Sequence, residues 1–329
     1  MWLPSFRLHR PKDLDEALRI KADLGTEVRP LAGGTDLLPN YKWHIENKAD
    51  VLALSGLQEL STLNHQNIGA CMTLSAIERD TDLAARLPVI RDTIRKIASP
   101  LLRNSATIGG KLMLDTRCHW VNQTEFWRHS QDFCMKTDES PICRVVPGLT
   151  RCVATYSGDL APVLMVLGAK LRLAGTRGAR DSKLADFFNE DGIDRHRLAA
   201  DELLTGVLLP ADASDYKAAY EKLRLRSSID FPSAGLALAL QSKDGVLIGI
   251  RAAHTAIASA PIDLSEQCAE LIGAPLSMHT AQRLEAIVDA NAKPYRNVPL
   301  PPSYRRTWLR ISARRLFARL AGLDEAKAA

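Results

Sequence analysis

Leu31-Ala32-Gly33-Gly34-Thr35-Asp36-Leu37 closes a short apolar run that starts at Val28. Val28 to Leu31 predicts a strand, Ala32 to Asp36 a tight turn, and Leu37-Leu38 a resumed apolar segment that Pro39 checks. Adjacent glycines let a backbone approach an anion and present N–H groups to it, and Thr35 adds a hydroxyl donor. A pyrophosphate is the natural guest. The pattern G-x-G-x-x-G is absent, which disfavours a doubly wound dinucleotide fold. A turn in which the glycines serve geometry alone accounts for the same residues.

Working outward, residues 13–24 (DLDEALRIKADL) predict a helix with Asp13 as N-cap and Glu16 completing a capping box. Leu14, Leu18 and Ala22 form its apolar stripe, and Gly25 is its natural stop. Residues 50–54 read as the next buried strand. A second unit follows: a strand over 67–74, a helix opened by Ser75, and a helix over 87–99 ended by Pro100. Ala106-Thr107-Ile108-Gly109-Gly110 then repeats the recipe of threonine beside a glycine pair, in what reads as a polar turn. Two such turns would suit the two phosphates of a dinucleotide. Residues 160–173 predict a short helix and a strand, and 203–208 a strand closed by Pro210.

The small, polar stretch 210–216 (PADASDY) places a domain boundary between residues 212 and 213. Beyond it lie an apolar run (233–240), a strand (246–250), two helical stretches (263–272 and 279–291) and a terminal helix (303–321). The terminal helix is basic from Tyr304 to Arg319. Leu309, Leu316, Phe317 and Leu320 give it a stripe to pack, so the basic residues read as a solvated face rather than a nucleic-acid or membrane surface.

Composition sets the class. Apolar content is 46% and charged content 25%, as expected for a soluble globular protein, and the net charge of +5 is too mild to imply nucleic acid. No apolar stretch of about 18 residues exists to span a membrane. The basic start lacks the apolar core of a secretory signal, so the expected location is the cytoplasm. Thiols stay reduced there, which makes clustered cysteines metal ligands sooner than disulfides.

Such a cluster is present. Cys118, Cys134, Cys143 and Cys152 are spaced C-x15-C-x8-C-x8-C, while Cys71 and Cys268 lie apart. They fall between the second glycine pair and Ser157-Gly158-Asp159. Thiolates favour zinc or an iron–sulfur cluster. Paired C-x-x-C knuckles are absent. Trp120, Phe126, Trp127 and Phe133 supply an apolar shell of the kind that tunes a redox centre. His119 and His129 are weaker ligand candidates. On residue chemistry alone, zinc, an iron–sulfur cluster and unligated cysteines all stay open.

Residues 31–37 resemble the first FAD loop of the flavin subunits of the xanthine oxidase (molybdenum hydroxylase) family. Ile68-Gly69-Ala70-x-x-Thr73, Ile97-Ala98-Ser99, Arg103-Asn104-x-Ala106-Thr107-Ile108-Gly109-Gly110 and Ser157-Gly158-Asp159-x-x-Pro162 resemble its later segments, in order, over essentially the whole chain. The resemblance implies an α+β protein. A vanillyl-alcohol-oxidase (PCMH)-type FAD-binding domain of two α/β subdomains would occupy 1–212. A C-terminal domain with a small antiparallel sheet and helices would occupy 213–329. It implies FAD contacts at Leu31, Ala32, Gly33, Gly34, Thr35, Asp36, Asn104, Ala106, Thr107, Ile108, Gly109, Gly110 and Asp159. The stretch from Lys222 to Pro232 resembles the one that approaches the flavin ring and the partner subunits, so Lys222 joins the set. One departure is Lys111, where the family usually has asparagine.

Ordinary family members run almost directly from the second glycine pair to Ser-x-Asp, whereas here about 40 residues, 115–156, intervene. Asp115-Thr116-Arg117-Cys118, Asn122-Gln123-x-Glu125-x-Trp127-Arg128 and Cys152-x-Ala154-Thr155-Tyr156 resemble the family branch formed by the 4-hydroxybenzoyl-CoA reductases. That resemblance implies a [4Fe–4S] cluster on Cys118, Cys134, Cys143 and Cys152. It also implies a large subunit with a molybdopterin cofactor and the substrate site, a small subunit with two [2Fe–2S] clusters, a dimer of such heterotrimers, and ferredoxin as electron donor. No residue of this chain is then expected to be catalytic.

Overall fold

The computed structural model describes residues 2–137 and 140–323. Its first helix, Leu14–Leu24, starts as the sequence predicts. Asp13 caps it, its carboxylate accepting the Glu16 N–H at 2.8 Å, and Gly25 ends it at φ 54°. Glu16 reaches back to the Lys12 N–H, one residue outside the expected box. Ala17, Leu18 and Lys21 face inward, and Ala22 is only half-buried. Lys21 tolerates burial because its ammonium donates to the carbonyls of Gly25 and Ala200, both at 2.5 Å.

This helix connects β1 (Arg7–His9) to β2 (Val28–Leu31), and both strands pair in parallel with β3 (Asp50–Ala53) in the order β1-β3-β2. Ligands of parallel α/β sheets sit beyond the carboxyl ends of the strands. The loop Ala32–Asp36 leaves the carboxyl end of β2.

The second sheet is antiparallel and comprises β4 (Asn67–Gly69), β5 (Lys170–Gly175), β6 (Gly178–Lys183) and β7 (Leu203–Leu208), in the order β4-β7-β5-β6. β4 is shorter than expected. Thr73 is the cap that ends the extended segment, accepting the Ala76 N–H at 3.2 Å, and the helix begins at Leu74 rather than Ser75. Pro100 likewise opens a new short helix, Pro100–Arg103, instead of merely ending the preceding one at Arg95.

The third sheet, β8 (Lys217–Leu223), β9 (Ala234–Lys243), β10 (Val246–Thr255) and β11 (Ile262–Asp263), is antiparallel in the order β11-β10-β9-β8. Helices Met278–Asn291 and Pro302–Ala321 pack on it through Leu284, Val288, Leu309, Leu316 and Phe317. The last helix departs from a simple solvated basic face. Arg305 is fully buried and donates to the carbonyls of Ser233, Tyr295 and Ala256. Helix Leu160–Val166, buried at every residue, belongs to the core cluster that joins the second sheet to the third.

Candidate cofactor site

The two glycine loops meet. A Cβ on Gly33 would lie 1.7 Å from the Ser105 carbonyl oxygen, so the first loop lies directly on the backbone of the second. Gly34 carries φ 69°, the left-handed turn that swings the chain toward helix Leu37–Lys42. The second glycine pair is not an open turn. It forms the start of a short helix, Ile108–Leu112, whose cap Thr107 accepts the Gly110 N–H at 3.1 Å. Gly109 in turn lies against the Ala70 carbonyl, where a Cβ would sit 2.7 Å away.

Among the described residues, the N–H groups of Ala32 through Asp36 find no acceptor in the protein. They border a cavity of about 330 Å³, within the range of small-molecule sites. Leu31 to Asp36 line it, as do Ala106, Thr107, Gly109 and Gly110; Val28, Pro30, Leu198 and Leu203 give it an apolar end. A cradle of unspent N–H donors leading to an apolar slot suits a diphosphate with an aromatic ring attached.

Four expected contacts lie elsewhere. Asn104 points away, its side chain accepting from the Ser75 hydroxyl at 2.7 Å. Ile108 is buried in the core beneath the loop. Asp159 and Lys222 satisfy one another at 3.1 Å in the interior, where Asp159 also accepts from the Tyr220 hydroxyl at 2.8 Å. A buried carboxylate needs such partners, and these are supplied by β8 rather than by a ligand.

The cavity wall also carries residues the sequence reading missed. Asp115 lines it and holds two cations, Lys136 at 3.0 Å and Arg195 at 3.3 Å. Burial alone would raise this carboxyl, but Lys136, Arg195 and Arg117 outweigh it and hold it well below the usual range. Arg117 reaches Asp36 at 3.4 Å and also bonds Asn40. His196 stacks on Phe187 at 4.9 Å, and burial followed by the Arg195 charge pushes its ring down to about 3, so it is neutral at pH 7. Cys71 lines the cavity too, with its thiol pushed up to about 11 by burial.

The inserted segment is pinned at its stem. Arg117 and Thr155 exchange backbone hydrogen bonds at 2.9 and 2.7 Å. Asn297, fully buried and far away in sequence, accepts the His119 N–H at 3.0 Å and donates to the Val153 carbonyl at 2.5 Å. Cys118, Cys134, Cys143 and Cys152 are all buried and all free. Cys118 and Cys152 pack in one cluster with Val121 and Ala154. The charge of each of the other cysteines acts on one of these two: Cys134 on Cys118, and Cys143 on Cys152. Burial raises both thiols, Cys152 to about 11. The set therefore suits a metal centre in number, softness and burial. It is not a preformed ligand cage, because among the described residues no three Cys, His, Asp or Glu side chains converge to hold a metal ion.

Of the aromatic shell, Trp120 and Trp127 pack together at 5.3 Å, whereas Phe126 is 85% exposed and shields nothing. His129 stacks edge-on against Phe133 at 5.4 Å.

Comparison with known proteins resolves what kind of cradle this is. Residues 4–212 match the family model for the FAD binding domain in molybdopterin dehydrogenase. The chain belongs to this family. Residues 218–320 match the CO dehydrogenase flavoprotein C-terminal domain. The carbon monoxide dehydrogenase medium chain of Afipia carboxidovorans is 27% identical over 96% of both chains. The nicotinate dehydrogenase FAD-subunit of Eubacterium barkeri is 26% identical over 85% of this chain and 84% of its own. The crystal structure of a cyanide-inactivated Cu,Mo-CO dehydrogenase superposes with a TM-score of 0.78 at 26% identity, covering 98% of this chain and 99% of the other. The fold is thus a PCMH-type FAD-binding domain followed by the flavoprotein C-terminal domain.

Proposed function

We propose that this chain is the electron-transfer subunit of a molybdenum enzyme, carrying FAD in the cleft and a [4Fe–4S] cluster on Cys118, Cys134, Cys143 and Cys152. The observation that supports this most strongly is the placement of the inserted segment. Lys136, between the second and third cysteines, donates to Asp115 at 3.0 Å, and Asp115 lines the FAD cleft. This ion pair ties the segment that carries the four buried thiols to the wall of the cavity proposed for FAD. A cluster there would supply single-electron exchange; the chain's own residues bind FAD, exclude water and hold the two sites together.

The cysteine spacing and its flanking residues favour 4-hydroxybenzoyl-CoA reductase as the parent enzyme. In that reading a large subunit carries the molybdopterin cofactor and removes the phenolic hydroxyl to give benzoyl-CoA. A small subunit carries two [2Fe–2S] clusters, ferredoxin donates electrons, and the assembly is a dimer of heterotrimers in the cytoplasm. No residue of this chain touches the substrate. The relatives named above are dehydrogenases, which favours a second reading: the same subunit in an oxidative molybdenum enzyme with another substrate.

Activity of the reconstituted complex separates the two. The first reading expects benzoyl-CoA from 4-hydroxybenzoyl-CoA and reduced ferredoxin. A complex that oxidises an organic substrate and leaves 4-hydroxybenzoyl-CoA unchanged supports the second. Absence of both flavin bands and a reducible cluster signal in the isolated chain would overturn both and leave a zinc-stabilised interaction protein.

A further inference from the structure

Among the described lysines, five turn their ammonium groups toward the two domains' interior faces, and four of these are satisfied by the protein's own oxygens. Lys21 donates to two carbonyls, Lys96 to the Tyr220 carbonyl, Lys136 to Asp115, Thr116 and Gly192, and Lys222 to Asp159 and the Lys96 carbonyl. Lys111 is the fifth. Its ammonium has no oxygen partner among the described residues and meets only the face of Phe231, 5.7 Å from the ring centre. Its backbone is fixed, because its carbonyl accepts from the Tyr156 hydroxyl at 3.0 Å. Burial lowers its affinity for a proton, while the charges of Asp159 and Asp36 oppose that effect and Lys222 adds to it.

Lys111 directly follows Gly110 and lines the same cavity as the donor-rich loop Ala32–Asp36. An ammonium on the cavity wall with no oxygen partner in the protein is free to pair with an anion bound there. The loop beside it offers N–H donors that are equally unspent. Both features call for one anionic group.

We propose that Lys111 is the counter-charge for the diphosphate of bound FAD, doing with an ammonium what a neutral side chain at this place would leave to the backbone. The inference rests on the assignment of the cavity to FAD. Phe231, from the C-terminal domain, offers the ammonium a ring face and no oxygen.

The test compares the FAD-free chain carrying Lys111→Met or Lys111→Arg with the parent chain, using FAD, ADP and riboflavin as separate probes. Loss of a charge-assisted hydrogen bond predicts that Lys111→Met weakens FAD and ADP alike, by roughly tenfold to a hundredfold, and leaves riboflavin unchanged. Lys111→Arg retains most of the affinity. Added salt narrows the gap between Met variant and parent, and the flavin midpoint potential of the Met variant stays at the parent value. A Met variant that binds ADP as tightly as the parent overturns the proposal; so does one whose main change is in the flavin potential, which would put the ammonium at the ring. A parent chain that binds neither FAD nor ADP overturns the cofactor assignment itself. Unchanged thermal melting of the ligand-free Met variant separates lost pairing from lost folding.

Discussion

The cavity proposed for FAD and the cysteine segment share a wall at Asp115, and they are built on different terms. The cleft is made by backbone: Gly33 against Ser105, Gly109 against Ala70, and a row of N–H groups with nowhere else to go. The cysteine segment is made by side chains hung on a long loop that, among the described residues, holds one short helix, Glu125–Ser130. Its stem is stitched by Arg117, Thr155 and Asn297, and its thiols are gathered without closing into a ligand cage. In the proposed reading, four thiolates held at ligand distance would repel one another, and binding of the metal would complete the geometry.

The comparison can be broken at either side. The largest effect is expected in the cleft. Gly33→Ala puts a methyl group inside the Ser105 carbonyl contact, so the two loops must separate. FAD affinity should fall by at least about a hundredfold, measured by flavin fluorescence titration. Retention of parent-level affinity would mean the loops do not hold the cofactor together. On the other side, Cys134→Ser should bring iron per flavin close to background and leave FAD bound, since neither glycine loop lies within the insertion. Iron and flavin quantified on the same sample decide it, and unchanged iron removes Cys134 from the ligand set.

Asp115 belongs to both regions, and its loss should damage both. Asp115→Asn leaves Lys136 and Arg195 without their carboxylate. Both keep carbonyl partners, which limits the cost to about 2–3 kcal/mol of stability. Urea unfolding reads that loss, and FAD and iron contents should drop together. A variant losing only one of them would show that the wall does not couple the sites.

The smallest effect lies outside both and serves as their control. His254 in β10 is fully buried, and burial pushes its ring down to about 4. The unfolded chain therefore binds a proton that the folded one refuses between about pH 6.5 and 4. Stability from this group is present above that window and is lost as pH falls through it, by about 2 kcal/mol between pH 7 and 5. His254→Leu should flatten that part of the pH–stability curve without changing iron or flavin content. His196, depressed in the same direction, titrates lower and leaves a residual slope.

Much of the cleft was legible because backbone chemistry leaves a trace in residue type. Paired glycines beside threonine marked both loops, Asp13 marked the start of the first helix, and the apolar runs 160–173 and 233–240 marked core elements elsewhere in the fold. The exchange partners were not legible. Asn297, Lys136 and Arg195 act through contacts made across long sequence separations, and nothing in their neighbours signals those contacts. Asp159 and Lys222 look like ligand contacts in a linear reading, yet burial beside Tyr220 turns them to each other. Thr107 reads as a turn residue until its hydroxyl is seen to cap a helix.

The measurement that tests the account most directly is iron, zinc and flavin content with an EPR spectrum of the reduced chain, purified without oxygen. The account predicts one FAD with about four irons per chain and a cluster signal that appears on reduction. Bound FAD with no iron, or with zinc on the same cysteines, would contradict it.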